Sequence, residues 1–429
     1  MGTMAHRTAK DKYTKLVNRL NLFPQGAPPS DTLFSILQIL LSEREAGLVS
    51  KLPIKPFTAK KASQVWRLDL KETQKYLDEL ASRAILVDME YKGNIEYVLP
   101  PPMAGFIEFS MMRIRKNMDQ KLLGKLYYQY MNVEEDFIKK LFTDGQTQLG
   151  RVFVQEAVLS NENAIHVLDY ERASEVIKTA SKIGISTCYC RHKMKHVGKA
   201  CDAPMDICMT FNTTGAALVH HGHARSVDQK EGLDLLQLAW ENNLVQFGEN
   251  NREGVNFICN CCSCCCEAMI AAQKFGFLQP VHTSNFLIQS SSDACKGCGR
   301  CAKSCPVDAL TLVSANDPQK PKKNKIKIDE NLCLGCGVCV RNCQNKALSL
   351  KSRPEKVLTP LNTTHRTVVM AIERGKLQNL IFDNQVFWSH RMLASILGVI
   401  LKLPPIKQVM ASRQMKSKYL ESLIRRLDY

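Results

Sequence analysis

Between residues 295 and 343 the spacing Cys-x-x-Cys-x-x-Cys-x-x-x-Cys occurs twice. It runs as Cys295, Cys298, Cys301 and Cys305, followed by Pro306, and again as Cys333, Cys336, Cys339 and Cys343. Nothing else in the chain limits its folding as tightly. Structural zinc usually draws two short cysteine pairs from segments a dozen or more residues apart, not four cysteines from one short run. Four thiolates in such a run suit a cubane iron–sulfur cluster, because a tight loop turns three of them toward one centre while backbone N–H groups reach the sulfurs. Gly297, Gly299, Gly335 and Gly337 supply the freedom for those turns. In paired runs of this kind the fourth cysteine serves the cluster of the other run. That rule gives Cys295, Cys298, Cys301 and Cys343 to one [4Fe–4S] cluster and Cys333, Cys336, Cys339 and Cys305 to a second.

The segment 286–352 resembles the bacterial two-cluster [4Fe–4S] ferredoxins over about one-seventh of the chain. The resemblance implies a small pseudo-symmetric module holding two clusters in electron-transfer contact. Two departures stand out. Gln344 takes the place of a second proline, which is expected to loosen that turn, and the insertion 314–330 separates the two runs. The lysines of the insertion make this edge basic, a suitable dock for an acidic redox donor or acceptor.

Ten of the eighteen cysteines lie upstream: Cys188, Cys190, Cys201 and Cys208, then Cys259, Cys261, Cys262, Cys264, Cys265 and Cys266. A core would use Val, Leu or Ile without the oxidation hazard of adjacent thiols, so metal or redox chemistry is the favoured reading. The first four form one candidate ligand group for a further iron–sulfur cluster, with the 259–266 run supplying others. A zinc or other mononuclear thiolate site is the alternative, with His192, His196, His220, His221 and His223 available to it. Thiol exchange is a third option, in which Arg191, Lys193, Lys195 and His196 lower a nearby thiol pKa. The stretch CYCRHKMKHVGKACDAPMDICMTF followed by ICNCCSCCC is similar to a family of largely uncharacterised 4Fe–4S dicluster proteins of anaerobic bacteria, over roughly residues 165–352. That resemblance implies a redox role and names no substrate.

The remaining chain reads as an α+β multidomain protein. A basic arm (1–30) precedes a winged-helix-like module (31–105), in which a helix over 31–45 is followed by helices over 58–67 and 70–83 and by a hairpin over 85–100 turning at Lys92-Gly93-Asn94. Leu70, Leu77 and Leu80 are expected on one helix face. The helix over 70–83 carries Asp69, Glu72, Asp78 and Glu79 beside Lys71, Lys75 and Arg83, so its charge is near balance and DNA binding is the weaker use of the module. A helical connector (106–160), an α/β cysteine-rich domain (161–285), the ferredoxin-like domain (286–352) and a helical C-terminal region (353–429) follow. In the cysteine-rich domain a helix is expected over 170–183, and Asp228 with Glu231 forms a capping box.

A formal charge of +17 favours an acidic redox partner, a nucleic acid or an anionic membrane face without ranking them. The apolar runs 33–41 and 392–401 are shorter than a spanning helix needs. The opening MGTMAHRTAKDK lacks an apolar signal core, and a cytoplasmic setting that keeps thiols reduced is expected. Nucleotide-binding glycine fingerprints are missing. The leading expectation is therefore an electron-transfer subunit or partner of an oxidoreductase. The alternatives are an oxidoreductase with its chemistry at the 188–266 cysteines, and a redox-sensing winged-helix regulator.

Overall fold

The computed structural model describes residues 2–91, 93–116, 118–159, 169–275, 283–291, 294–316, 323–354, 356–357, 359–382 and 392–395. Side chains of residues 2–10 lie outside this description, as do the region 396–429 and most of the apolar run at 392–401. The architecture is mixed α/β, with many helices and several small sheets.

The N-terminal third opens with α1 (Gly2–Leu20), α2 (Asp31–Leu40) and α3 (Glu43–Val49). The single helix expected over 31–45 is broken at Leu41. Ser42 there accepts from the Glu45 amide while the Glu45 carboxylate accepts from the Ser42 amide, a reciprocal cap that starts a new helix. Next come β1 (Phe57–Thr58), α4 (Ala59–Trp66), α5 (Leu70–Ser82), β2 (Val87–Tyr91) and β3 (Asn94–Val98), with an antiparallel sheet ordered β1-β3-β2. Leu77 and Leu80 are fully buried, but Leu70 is 54% exposed, because it sits in the first turn, beyond the core's reach. Two further helices, α6 (Gln120–Tyr128) and α7 (Asp136–Thr143), cross toward the centre of the molecule.

The central element is a six-stranded sheet ordered β4-β8-β9-β6-β5-β7, antiparallel at every pairing. Its strands are β4 (Gly150–Val152), β5 (Ile183–Thr187), β6 (Asp206–Phe211), β7 (Arg225–Val227), β8 (Val245–Glu249) and β9 (Phe257–Cys261). The helices between them are α8 (Ala173–Thr179), α9 (Tyr189–His196), α10 (Asn212–His220), α11 (Gln229–Glu241) and, after β9, α12 (Glu267–Lys274). The helix expected over 170–183 thus stops at Thr179, and Ile183 already belongs to a strand whose Ile183 and Ile185 alternate into the core. Asp228 caps α11 as expected, but only half of the box forms: the Glu231 side chain turns to Arg225, 2.5 Å away.

Period-two alternation decides what each sheet face carries. Ile183, Ile185, Met209, Phe211 and Ile258 point into a core shared with Ile177 and Leu236 of the covering helices. The intervening positions Cys208, Cys259 and Cys261 consequently point to the opposite face, beneath α9 and α12.

The ferredoxin-type module has β10 (Phe286–Ser290) paired with β13 (Leu348–Ser352), and β11 (Leu310–Ser314) paired with β12 (Asn324–Ile328). Two short helices, α13 (Arg300–Ser304) and α14 (Val338–Arg341), follow the cysteine loops. Finally α15 (Thr363–Glu373) and α16 (Leu377–Ile381) clasp the body. Arg366 is buried against the Glu249 carboxylate at 2.6 Å, and Lys376 donates to the Phe23 carbonyl at 2.8 Å.

The N-terminal sheet is fastened to the central domain by histidines. His221 lies 3.0 Å from both Asp88 oxygens on β2. The buried His223 donates from Nε2 to the Ser82 carbonyl at 3.0 Å and accepts at Nδ1 from Arg115 at 3.2 Å, an arrangement that fits only the neutral ring. Burial, together with the Arg115 and Arg113 charges, lowers its pKa from 6.5 to about 3 despite the Ser82 bond. In that interval the unfolded chain binds a proton that the folded one refuses, so stability falls as the pH drops below 6.5 toward 3, by up to about 1.4 kcal/mol per unit. A His223→Gln variant is expected to show a flatter pH dependence of Tm between pH 6.5 and 4.5 than the parent, measured by thermal scans at matched ionic strength.

Candidate metal centres

In the ferredoxin-type module the two runs fold alike. Gly297 and Gly299 have φ of +65° and +74°, and Gly335 and Gly337 have +67° and +89°, so both loops use the left-handed region at the same steps. A Cβ on Gly335 would stand 2.1 Å from the Phe286 carbonyl oxygen, and one on Gly297 would stand 2.4 Å from the Asn324 oxygen, so only glycine fits where the loops press on the strands. After each run the fourth residue returns its amide to the last sulfur: Ala309 N donates to Cys305 Sγ and Ala347 N to Cys343 Sγ, both at 3.3 Å. Asp308 and Lys346, in the residue before, both have positive φ. The turn after Gln344 thus makes the same N–H···S bond as the turn after Pro306. A left-handed residue and an N–H···S bond recur in both turns, with proline in only one of them.

Two cavities lie under these loops. One is lined by Cys295, Cys298, Cys301 and Cys343, and the other by Cys305, Cys333, Cys336 and Cys339. Each thus gathers three cysteines of one run and the last cysteine of the other. Burial raises the thiol pKa of Cys301 and Cys305, and that of Cys336 to about 12, so these sulfurs are poor thiolates without a cation to offset their charge. Four convergent sulfurs, amide donors to sulfur and glycine-only loops fit a cubane. Residues 294–347 match the family model of the 4Fe-4S dicluster domain. The module is accordingly a ferredoxin-type iron–sulfur domain. No curated protein and no solved structure matches the chain.

The ten upstream cysteines form two groups that share Cys262 at their boundary. Cys188, Cys190, Cys208, Cys259, Cys261 and Cys266 surround a cavity that Cys262, Met103, Phe142 and Phe247 also line. Their sulfurs form a chain of neighbours running Cys208, Cys259, Cys261, Cys266, Cys190, Cys188, with Cys261 and Cys266 Sγ 3.1 Å apart. Local structure places each one. A bulge after Ser186 turns the chain so that Cys188 caps α9, with its amide held by the Met205 carbonyl at 2.8 Å. Cys266 caps α12. Both helices thus present their positive ends to the thiols. The neighbouring thiols of Cys190 and Cys261, and after them the Met269 amide, hold Cys266 well below the usual thiol range despite burial. Cys190 is pushed well up by burial, and Cys188 and Cys208 by the adjoining thiols of Cys190 and Cys259 and then by burial.

Cys201, Cys262, Cys264 and Cys265 form the other set, with all four sulfurs within 4.8 Å of one another. The structure thus places Cys201 with the second cysteine run, whereas Cys188, Cys190 and Cys208 line the cavity. Cys262 is lowered to about 4, first by the Cys265 thiol and then, against the cost of burial, by the Arg191 charge.

Arg191 lies between the sets, fully buried, and donates to the Pro204 carbonyl at 2.7 Å and the Asn260 carbonyl at 2.6 Å. Among the cations expected to lower thiol pKa values, Arg191 acts by its charge on Cys188 and Cys262. Lys193 is turned instead into a buried ion pair with Glu267, which Asn132 joins by donating to Glu267 at 2.8 Å. The histidines take other partners. His192 donates to the Met111 carbonyl at 2.8 Å, and among the described residues the one metal-sized group containing histidine is Asp88, His220 and His221, without a cysteine.

Glu108 and Tyr189 also line the cavity and carried no signal in the sequence. Burial raises Glu108 to about 8 against the Gly105 and Ala104 amides that donate to its carboxylate. Glu267 had one usable signal, its place directly after the cysteine run at the start of a helix.

Lys193→Met is expected to cost about 3–5 kcal/mol by leaving Glu267 charged and unpaired, whereas the double variant Lys193→Met with Glu267→Leu recovers most of the loss. Chemical denaturation of the parent, both single variants and the double variant measures this coupling.

Proposed function

We propose that this chain is an electron-transfer protein with two [4Fe–4S] clusters, ligated by Cys295, Cys298, Cys301 and Cys343 and by Cys333, Cys336, Cys339 and Cys305. A third iron–sulfur site lies among Cys188, Cys190, Cys208, Cys259, Cys261 and Cys266. The observation that carries this reading is the three-plus-one sharing of cysteines in the two ferredoxin cavities. Each pocket is completed by the other run, so the two centres are adjacent.

The placement of the pockets supports a direction of travel through the molecule. The Cys295 pocket faces outward: Cys298 is exposed, and Lys296, Arg300, Lys325 and Lys327 are exposed around it. An acidic donor or acceptor protein docks there, steered by this field. The Cys305 pocket faces inward. Gln155 donates its amide to the Cys336 carbonyl at 2.9 Å, and Gln273 near the end of α12 donates to the Pro306 carbonyl at 3.1 Å. α12 begins at Cys266 of the six-thiol cavity, and eight residues span about 12 Å, so one short helix separates the inner ferredoxin pocket from the upstream site. The chain serves as the redox subunit or partner of an oxidoreductase in a cytoplasmic setting. Among the described residues no helix is long and apolar enough to cross a membrane.

The N-terminal helices and three-stranded sheet make a winged-helix module used for docking rather than for reading DNA. Its wing strand β2 packs on α10 and is held by His221 through Asp88. The charges of α5 are also engaged within the module, Glu72 by Arg44 at 2.9 Å and Asp78 by Tyr97 at 2.8 Å. A second reading, chemistry at the upstream site with the ferredoxin domain as its wire, is favoured by the carboxyl of Glu108 and the phenol of Tyr189 beside the thiols.

On protein purified without oxygen, about 12 iron with matching sulfide per chain is expected, against about 8 if the upstream thiols hold no cluster. Cys298→Ser and Cys336→Ser should each remove one reduced-state EPR signal and leave the other partly intact. Unchanged iron and spectra in both variants sink the ligand scheme. Replacing Cys188 and Cys190 together should bring the count down to about 8.

A further inference from the structure

Cys201, Cys262, Cys264 and Cys265, of which Cys262 also lines the thiol cavity, have the dimensions of a single-ion site. Cys201 and Cys262 Sγ are 3.6 Å apart, Cys264 and Cys265 3.6 Å, and Cys201 and Cys265 3.9 Å, with the whole set inside 4.8 Å. Four thiolates arranged tetrahedrally at the zinc–sulfur bond length of about 2.3 Å stand roughly 3.8 Å from one another. A cubane spreads its thiolates over four irons and needs them farther apart.

The chemistry of the donors agrees with this size. All four are sulfur, which suits zinc among the common divalent ions, and among the described residues no histidine or carboxylate joins the set. Charge is offset on the protein side, because the Arg191 guanidinium acts on Cys262 and the Cys201 amide is directed at Cys265. The set also spans a gap in the fold. Cys201 belongs to the exposed loop between α9 and β6, while Cys262, Cys264 and Cys265 form the turn between β9 and α12.

We propose that Cys201, Cys262, Cys264 and Cys265 bind one zinc ion, separate from the iron–sulfur centres. The ion is structural: with all four positions taken by protein sulfur it has no open coordination site for substrate. Its effect is local. Cys262 and Cys265 each adjoin a cysteine of the deep cavity, Cys261 and Cys266, so fixing this turn fixes the aim of two sulfurs in that cavity. Redox-inert zinc suits a site whose Cys264 is exposed, because it ties up thiols that would otherwise oxidise next to one another.

The test is metal analysis of the full chain, purified without oxygen, for the parent and for Cys201→Ser and Cys264→Ser. The parent is expected to hold about one zinc per chain alongside its iron. Both variants are expected to lose most of that zinc with iron and sulfide unchanged, and Cys264→Ser, at an exposed position, keeps the measurement informative if Cys201→Ser folds poorly. Growth with cobalt in place of zinc should give the visible bands of a tetrahedral cobalt thiolate, absent from both variants. Zinc-free parent protein, zinc retained in both variants, or iron lost together with Cys264 overturns the assignment. The last outcome would place these sulfurs on an iron–sulfur centre while leaving the two ferredoxin clusters in place.

Discussion

Thiols converging on shared centres are the constraint on which the rest of this structure depends. A buried sulfur resists ionisation, and several buried together resist it more, as the raised pKa values of Cys336, Cys190 and Cys208 record. The fold answers with cations and dipoles placed against the sulfurs. Arg191 acts on Cys188, Cys262 and Cys261, the amides of Ala309 and Ala347 reach Cys305 and Cys343, and α9 and α12 begin at cavity cysteines. A bound metal ion is the ordinary way to offset the remaining charge of converging thiolates.

Around that requirement the polar interior is tied down pair by pair. The Lys193–Glu267 pair joins α9 to α12, the two helices whose starts carry Cys188 and Cys266, so the ion pair also sets the spacing of two thiol-bearing termini. Arg366 and Glu249 do the same for the far edge of the sheet, where α15 closes over β8. Neither pair need add net stability over a hydrophobic equivalent. What they add is orientation, which matters where a helix must deliver a sulfur to a fixed point.

Much of this was legible in the residues. The double cysteine run announced a ferredoxin-type module because its spacing is local, and short loops are governed by local backbone geometry. The 58–67 and 70–83 segments and the hairpin over 85–100 could be read for the same reason, from apolar periodicity and a turn at Gly93. The errors fell where short-range signals compete. Ser42 with Glu45 broke a continuous apolar pattern by capping, and Ile183 was taken into a strand by its alternation into a core that a helix over 170–183 could not reach. Gln344 shows the reverse case, a sequence departure beside which the Ala347 N–H to Cys343 Sγ bond still forms.

By itself the sequence determined that this chain carries iron–sulfur chemistry, since thiol number and spacing follow directly from residue order. It could not determine how ten upstream cysteines divide. Cys201 and Cys208 are seven residues apart, yet they lie in different thiol sets, and Cys261 and Cys262 are adjacent yet belong mainly to different ones. That partition comes from the pleat of β6 and β9, which sends Cys208, Cys259 and Cys261 to one face, and from the turn after β9, which brings Cys262, Cys264 and Cys265 to a loop some sixty residues earlier in the chain. Only the tertiary structure decides such a meeting, because the contacts that create it are between strands and loops far apart in sequence.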